Sequence, residues 1–347
     1  MRKALSLVLC AAMLLCGCCA GAEEEAAALR CGDYEYVLRE DGSAEITAYQ
    51  GEGGEVTLPD ELDGHAISAI GMFAFFGRDG LTAVTVPGSV KEIGWGAFAN
   101  CQDLAAVELE DGVAAIGKQA FHACPLLTAV TIPGSVKQIG DSAFSLCFSL
   151  SSVVLEPGVP AVGKSMFSYC TALSSVTLPE GLQFIGEWAF SSCESLTSLV
   201  LPDSVTVIGP YAFTECVNLV SITMPERMTD IGSWAFSYCR SLSAVTVPQG
   251  IAVIRDYTFY ACESLKTIDL PDTVTIIRPF AFLCCYDLSL FVPPSVVVFG
   301  DYAFDGRDAD PAIIVVRGSR ADRYFAQSSY TVSIAVVDEA PAGRRDR

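Results

Sequence analysis

The stretch AFHACPLLTAVTIPGSVKQIG, residues 120–140, contains the pattern that decides the fold. It returns along the chain with a period of 23 residues. The period is marked by phenylalanines at 75, 98, 121, 144, 167, 190, 213, 236, 259 and 282, with Phe304 following after 22 residues. A fixed period of about 20–50 residues is typical of repeat architectures, so each residue must be interpreted by its place in the unit.

The unit is A-F-x-x-C-x-x-L-x-x-V-x-L-P-x-x-V-x-x-I-G-x-x. Its L-x-x-V-x-L segment alternates as a β-strand does, and the proline that follows ends the strand because it lacks an N–H donor. The A-F-x-x-C segment places Phe and Cys three residues apart, which predicts one face of a short helical turn. The Ile-Gly pair predicts a turn whose glycine takes a positive φ.

One 23-residue unit cannot bury these apolar positions alone, so the pattern predicts that successive units stack. Each strand would then pair in parallel with the next at about 4.8 Å. Ten such units predict a solenoid on the order of 50 Å long.

Nine cysteines follow the repeat, and a ladder in register cannot be one catalytic residue. They are Cys101, Cys124, Cys147, Cys170, Cys193, Cys216, Cys239, Cys262 and Cys285. Stacking would align their Cβ vectors in parallel, whereas a disulfide needs vectors that converge. Buried free thiols acting as small apolar residues are therefore favoured. Cys31 and Cys284 lie outside the ladder and are candidates for a stray thiol or a crosslink.

The repeat resembles that of the BspA-like leucine-rich-repeat surface proteins over about residues 67–317. The segment from 23 to 66 resembles the N-terminal cap of that family, with Tyr36, Ile46 and Tyr49 matching. Residues 311–336 resemble its C-terminal cap, with a strand, a short helix opening near Ser319 and a last strand. The resemblance implies an α/β, right-handed leucine-rich-repeat solenoid over residues 67–310, with a parallel β-sheet on one face and short helical turns opposite. It also implies caps at both ends, and residues 337–347 are predicted to be a disordered tail.

Five residues depart from the pattern, and we expect local distortion where they lie. Arg255 and Arg278 replace the glycine of the Ile-Gly pair. Met166 and Thr258 replace alanine, and Glu156 replaces proline.

The N-terminus predicts export. Arg2 and Lys3 precede the apolar run 4–16, and Ala20-Gly21-Ala22 fits a signal-peptide cleavage site, which predicts a signal peptide over residues 1–22. An alternative is the lipobox-like Leu15-Cys16-Gly17-Cys18, which would place a lipid on Cys18 as the one membrane attachment. Either route takes the remaining chain out of the cytoplasm, to the cell surface or the medium.

Charge and composition exclude several functions. With 41 acidic against 21 basic residues the formal net charge is −20, which repels nucleic acid and anionic lipid headgroups. The histidines are His65 and His122, and only a His122–Cys124 pair suggests catalysis. Because Cys124 belongs to the ladder, we expect no enzyme and no cofactor.

The sequence evidence for a metal site is equally weak. A zinc site would need ligands clustered as in C-x2-C, and after the predicted signal peptide this spacing does not occur. Asp305, Asp308 and Asp310 could attract calcium, but they lack the order of a known calcium loop, so a solvated acidic turn is favoured.

Two surface stripes remain. On the strands, the outward residues are Thr85, Glu108, Thr131, Val154, Thr177, Val200, Thr223, Thr246 and Asp269. This face is small and hydroxylated, although strand propensity alone can account for Thr and Val. Two residues before the repeat phenylalanine, early units carry Gly96, Gln119, Ser142 and Ser165, whereas later units carry Trp188, Tyr211, Trp234, Tyr257, Phe280 and Tyr302. The aromatic run could hold a protein partner or a glycan chain, or its rings could pack mainly on each other.

The family resemblance implies a bacterial surface or secreted protein of the adhesin type. Such a protein would engage extracellular-matrix proteins, other cells or surface polysaccharide. A glycan-binding module that uses the aromatic stripe is the alternative.

Overall fold

Repeat units contribute one long strand and, in all but one unit, one two-residue strand to a parallel β-solenoid of about 12 turns. The computed structural model describes residues 28–304, 312–327 and 333–340. The predicted signal peptide and the Cys18 lipid site lie outside these residues, as do Asp305, Asp308 and Asp310. The long strands are β7 (Leu81–Val86), β9 (Ala106–Leu109), β11 (Ala129–Ile132), β13 (Ser152–Leu155), β14 (Ser175–Thr177), β16 (Ser198–Val200), β18 (Ser221–Thr223), β20 (Ala244–Thr246), β22 (Thr267–Asp269) and β24 (Ser289–Phe291).

The long strands pair in parallel with the register that the period predicts. Val130 lies beside Val153 and Thr131 beside Val154, each pair 23 residues apart. The inward residues of these strands, such as Val130 and Ile132, are buried. Parallel stacking of the units is therefore confirmed.

A second stack of strands was not predicted. The residues before the framework glycine, which is the glycine of each Ile-Gly pair, form short parallel strands where the sequence predicts only a turn. These are β8 (Glu92–Ile93), β10 (Ala115–Ile116), β12 (Gln138–Ile139), β15 (Phe184–Ile185), β17 (Val207–Ile208), β19 (Asp230–Ile231), β21 (Val253–Ile254), β23 (Ile276–Ile277) and β25 (Val298–Phe299). The solenoid thus has parallel strands on two faces, and the prediction of a sheet on one face is corrected.

The framework glycine does not take a positive φ, so the reason predicted for it is wrong. A Cβ at Gly117 would lie 2.6 Å from the carbonyl carbon of Gly94, and one at Gly186 would lie 2.7 Å from that of Gly163. Stacked backbones approach closely at these two glycines, so a side chain there would require the neighbouring unit to shift.

The segment that carries the phenylalanine is a turn, and the predicted short helical turn is wrong. Gln119 and Ala123 have φ of 56°, which a right-handed helix does not allow. Between them the Phe121 N–H donates to the Ala143 carbonyl of the next unit at 2.8 Å, and the His122 N–H bonds back to Gln119 at 3.0 Å. Alternate N–H groups therefore link neighbouring units.

The interior consists of two continuous columns. The rings of the eleven repeat phenylalanines, from Phe75 to Phe304, stack with centroids 4.8 to 5.9 Å apart. Beside them all nine ladder cysteines are buried free thiols. Each thiol donates to the carbonyl of the phenylalanine 26 residues earlier, at 3.1 to 3.3 Å. Six of the nine acceptor carbonyls, among them those of Phe167 and Phe190, also accept a backbone N–H. Cysteine thus adds a hydrogen bond inside the core that a purely apolar residue could not make.

The departures from the repeat are absorbed in different ways. Within the described chain the short-strand stack is interrupted twice, because β12 does not pair with β15 and β19 does not pair with β21; the second break lies at the unit containing Arg255. The Arg278 N–H keeps its bond to the Ile254 carbonyl at 2.9 Å. Met166 is buried without a gap in the phenylalanine column, and the buried Thr258 hydroxyl donates to the Arg255 carbonyl at 2.9 Å. The strand stack is thus broken at two places while the phenylalanine column stays continuous.

The N-terminal segment differs from the repeats because it contains antiparallel strands. They are β1 (Leu29–Cys31), β2 (Tyr34–Leu38) and β3 (Ala44–Tyr49), followed by β4 (Gly54–Thr57), β5 (Glu61–Leu62) and β6 (His65–Ile70). β3 then pairs in parallel with β6, and β4 with β7. The ring of Tyr49 stacks on Phe75 at 4.9 Å and so begins the aromatic column.

The C-terminal segment contains β26 (Ala312–Val316), α1 (Arg320–Gln327) and β27 (Ser333–Val337). α1 begins after Ser319, whose hydroxyl accepts the Asp322 N–H at 3.1 Å, and it is the one helix among the described residues. Its buried Phe325 lies 5.3 Å from Phe304 at the end of the phenylalanine column.

Candidate functional site

The N-terminal and C-terminal halves of the solenoid carry different residues at one backbone position of each unit. It lies two residues before the repeat phenylalanine, and we call it the edge column. Its members are Phe73, Gly96, Gln119, Ser142, Ser165, Trp188, Tyr211, Trp234, Tyr257, Phe280 and Tyr302. All eleven have φ between 52° and 62°. Glycine adopts this left-handed conformation freely, whereas a bulky side chain there is an outlier.

The six aromatic residues from Trp188 to Tyr302 form one continuous stack, which we call the aromatic ladder. Their ring centroids are 3.8 to 5.7 Å apart, with interplanar angles of 2° to 17°. The four internal rings are therefore covered on both faces. They present edges to solvent, and Tyr302 at the end is 53% exposed.

Two further tyrosines widen the ladder near its centre. Tyr260 meets Trp234 and Tyr257 edge-on, at 5.8 and 5.6 Å, and Tyr238 meets Tyr260 edge-on at 5.1 Å. A hydrogen bond with Tyr238, and then burial, raise the pKa of Tyr260 to about 12. Neither tyrosine was predicted, because they lie at other positions of the unit. Phe73, which has the same left-handed backbone, was also missed.

Trp188 differs from the other ladder residues in its polar contacts. Its indole Nε1–H donates to Glu187 Oε1 at 3.1 Å. Glu187 Oε2 accepts from the Lys164 ammonium at 2.8 Å. This bond to Glu187 raises the pKa of Lys164. The N-terminal end of the ladder is thus tied to a charged pair.

The sequence model of the BspA type leucine rich repeat region matches residues 68–197 and 183–309, in six copies. These matches cover more than half of the chain. The chain belongs to the BspA-type leucine-rich-repeat family. Comparison with curated proteins gave no match.

Solved structures of similar repeat proteins agree with the fold. A leucine rich cell surface protein from Faecalibacterium prausnitzii A2-165 is 28% identical, with 92% of this chain and 97% of that chain covered and a TM-score of 0.61. A leucine-rich repeat protein from Bacteroides ovatus ATCC 8483 is 24% identical, with 89% and 99% covered and a TM-score of 0.51. The pneumococcal vaccine antigen PcpA is 16% identical, with 90% and 99% covered and a TM-score of 0.52. The last two show the fold alone.

The structure does not assemble a catalytic pair from the BspA-type repeat. The Cys124 thiol donates to the Phe98 carbonyl at 3.2 Å. His122 Nδ1 instead lies 2.7 Å from the Ser145 hydroxyl, and burial lowers the pKa of His122. The matched family is a repeat family and not a catalytic one.

Burial also suppresses the ionisation of thiols within this BspA-type core, whereas a hydrogen bond with Cys124 lowers the pKa of Cys101 at the N-terminal end of the ladder. Burial raises the pKa of Cys147 and of Cys216 to about 12, and raises that of Cys193 well above its ordinary value. Cys31 and Cys284 are half-buried free thiols. Across residues 28–304, 312–327 and 333–340 there is no group of His, Cys, Asp or Glu side chains that could hold a metal ion.

The strand face of the BspA-type solenoid is the second candidate surface. Val200 is 70% exposed, and Thr131, Thr177, Thr223 and Thr246 are exposed beside it. A shallow groove of about 630 Å³ crosses this face between β18 and β26. No helix in the described part of the chain is both long and apolar enough to cross a bilayer.

Proposed function

We propose that this BspA-type protein is an exported, non-enzymatic binding protein of the bacterial cell surface or its surroundings, and that it acts as an adhesin. Its partner would be an extracellular protein or a surface of another cell. The family match and the likeness to a leucine rich cell surface protein support this proposal. The net charge of −20 argues against nucleic acid and anionic membranes as partners.

The aromatic ladder is the observation that carries the proposal. Gly96, Ser142 and Ser165 show that the fold needs no ring at the edge column. Gln119, Ser142 and Ser165 have the same left-handed backbone conformation as the ladder residues and carry it without stacked rings. The backbone therefore does not require six aromatic residues in succession. Edges of rings with hydroxyl and indole N–H groups are common in protein recognition surfaces.

Binding of a glycan along the whole ladder is the second candidate. Sugars stack on aromatic faces, and the faces of Tyr211, Trp234, Tyr257 and Phe280 are covered by their neighbours. A protein partner that contacts ring edges therefore fits the internal ladder better.

We further propose that residues 23–66 and 311–336 cap the solenoid. The stacks of Tyr49 on Phe75 and of Phe325 near Phe304 support this, because they cover both ends of the phenylalanine column. Right-handed winding is proposed from the preference of parallel strand crossovers, about 98% of which are right-handed. Export directed by a signal peptide over residues 1–22 would place the repeats outside the cell. So would export as a lipoprotein that carries a lipid on Cys18.

Surface binding of the purified protein tests the role of the ladder. The double variant Tyr211→Ser and Tyr257→Ser gives the C-terminal half the edge residues of the N-terminal half. We expect it to bind immobilised extracellular-matrix proteins or intact microbial cells about tenfold more weakly than the unchanged chain, because two internal anchors are lost. Gln119→Ser, at the same backbone position in the other half, is the matched control. Equal binding by both variants would contradict the proposal.

A further inference from the structure

Trp188 is the first ring of the aromatic ladder, and one of its faces is not covered by another ring. Tyr211 stacks on the C-terminal side at 4.1 Å with an interplanar angle of 2°. Among the described residues, no ring stacks on the N-terminal side, where the edge column carries Ser165 and then Ser142. The Ser165 N–H donates to the Glu187 carbonyl at 2.8 Å, so Ser165 lies on the turn directly beside Trp188.

The face without a ring partner belongs to a half-buried indole that is held in place. Lys164 binds Glu187, and Glu187 accepts the indole N–H of Trp188. The stack on Tyr211 fixes the other side of the indole. A ligand that contacts the free face would therefore meet an ordered ring and lose less conformational freedom on binding.

The space beside Trp188 is suited to one more ring. Successive rings of the ladder are 3.8 to 5.7 Å apart, and Ser165 provides only a hydroxymethyl group at the next step. At the N-terminal end of the same column a ring does cover a position that lacks a side chain, because a Cβ at Gly96 would lie 2.3 Å from the Phe73 ring. A ring supplied by a ligand could occupy the step above Ser165 in the same way.

The groups around this step are polar. Ser142 and Ser165 carry hydroxyl groups on the adjacent turns, and Tyr169, which is 47% exposed, lies on the same turn as Ser165. The Lys164 and Glu187 side chains are 50% and 39% exposed, so both can still make contacts with a ligand. An aromatic face combined with hydroxyl, carboxylate and ammonium groups fits a ring that is apolar on one face and hydroxylated at its rim.

We propose that the free face of Trp188 binds a neutral hexopyranose ring of a glycan, with its C–H face against the indole and its hydroxyl groups towards Ser165, Lys164 and Glu187. The excess of acidic residues disfavours sialylated or uronic acid sugars. The aromatic side chain of a protein partner would leave the surrounding polar groups without partners, which is unfavourable. This site uses one ring face at the ladder's end, and it is independent of protein binding along the ring edges.

Ser165→Trp is the sharpest test, because the new ring fills the step while Trp188, Lys164 and Glu187 are all retained. Six later units already carry an aromatic residue in this backbone conformation, so the variant is expected to fold. The full chain is titrated with neutral gluco-, galacto-, manno- and chito-oligosaccharides, and binding is followed by calorimetry. We expect binding to at least one series, and a loss of about tenfold or more in both Ser165→Trp and Trp188→Ala. Trp95→Ala removes a tryptophan remote from the site and should change binding less than twofold.

Three outcomes would overturn the proposal. They are the absence of binding to every neutral oligosaccharide at millimolar concentration, unchanged binding by Ser165→Trp, or selective binding of Phe- and Trp-containing peptides at this site instead of sugars. Failure here is distinguishable from failure of the adhesin proposal. Ser165→Trp lengthens the ladder, so it should retain protein binding along the edges while it loses the sugar.

Discussion

The two halves of the solenoid share one interior but differ along one edge. From Phe75 to Phe304 the phenylalanine column is continuous, and the cysteine ladder crosses both halves with the same hydrogen bond at every step. The edge column, in contrast, carries Gly, Gln and Ser from residue 96 to residue 165 and aromatic residues from 188 onward, with the same left-handed φ. In this molecule the core and the surface are therefore separable, and a change in edge composition without a change in backbone points to a role in recognition.

The largest expected effect tests whether the interior is the same in both halves. Phe121→Ala in the N-terminal half and Phe190→Ala in the C-terminal half each remove a fully buried ring between two stacked neighbours. We expect each to lower the free energy of unfolding by about 3–5 kcal/mol, measured by urea denaturation. Losses that differ strongly between the halves would break the comparison, because the core would then not be uniform.

The thiols provide a second test of the shared interior through pH. Burial raises the pKa of Cys147 and Cys216 to about 12 in the folded chain, whereas an unperturbed thiol ionises near about 8.5. Between these values the unfolded state holds fewer protons than the native state, so stability must fall as pH rises.

The expected slope approaches about 1.4 kcal/mol per pH unit for each thiol once the pH exceeds the unfolded pKa of about 8.5. It is measured by urea denaturation at pH 9 and pH 10. Cys147→Ser and Cys216→Ser should each reduce the slope by about this amount, because a serine hydroxyl does not ionise in this range. A stability independent of pH would show that the ladder thiols are not protected from ionisation.

A tryptophan introduced at either of two neighbouring edge positions tests where the stacked rings of the C-terminal half begin. Ser165→Trp gains the free face of Trp188 as a stacking partner, whereas Ser142→Trp gains no ring. Both residues have the same backbone conformation, with φ of 52° and 59°. We expect Ser165→Trp to be the more stable by about 0.5–1.5 kcal/mol, measured by thermal denaturation. Equal stabilities would mean that the ladder rings do not stabilise each other.

The smallest effect concerns Arg255, where the short-strand stack is interrupted in the C-terminal half. Arg255 forms a bidentate pair with Asp230 at 2.9 and 3.0 Å, with both side chains partly exposed. Arg255→Gly would remove this pair, worth about 0–1 kcal/mol, and would restore the framework glycine. We expect a net change within about 0.5 kcal/mol and more amide protection for residue 255 and for Ile231 in hydrogen exchange. A loss above about 2 kcal/mol would show that the arginine itself holds this unit together.

Much of the fold could be predicted from the sequence, because a repeat presents the same evidence in every unit. The spacing of Phe and Cys identified the two buried columns, and the alternation around Val130 and Ile132 identified the long strands and their register. Each of these predictions depends on side chains that point inward, because buried positions are the ones that a pattern of apolar residues identifies.

Other features have no comparable signal. The two-residue strands are too short to show alternation, and their pairing depends on backbone contact across the framework glycines. The left-handed backbone conformation of the edge column was not predicted, because Ser, Gln, Trp and Tyr do not indicate a positive φ as Gly or Asn does. The contacts of Tyr238 and Tyr260 with the ladder depend on the three-dimensional arrangement of the turns, which the sequence does not give. The edge column itself was visible in the sequence, but the coverage of its internal ring faces was not.

The hydrogen bond from each ladder cysteine spans 26 residues, one repeat plus the three residues between Phe and Cys. If a whole 23-residue unit were deleted or duplicated, every thiol would still meet a phenylalanine carbonyl, because each donor and acceptor is identical from unit to unit. The length of the array is thus a heritable variable that a single recombination event can change in whole steps. Selection could lengthen or shorten the exposed aromatic edge by this route without redesigning the protein's interior.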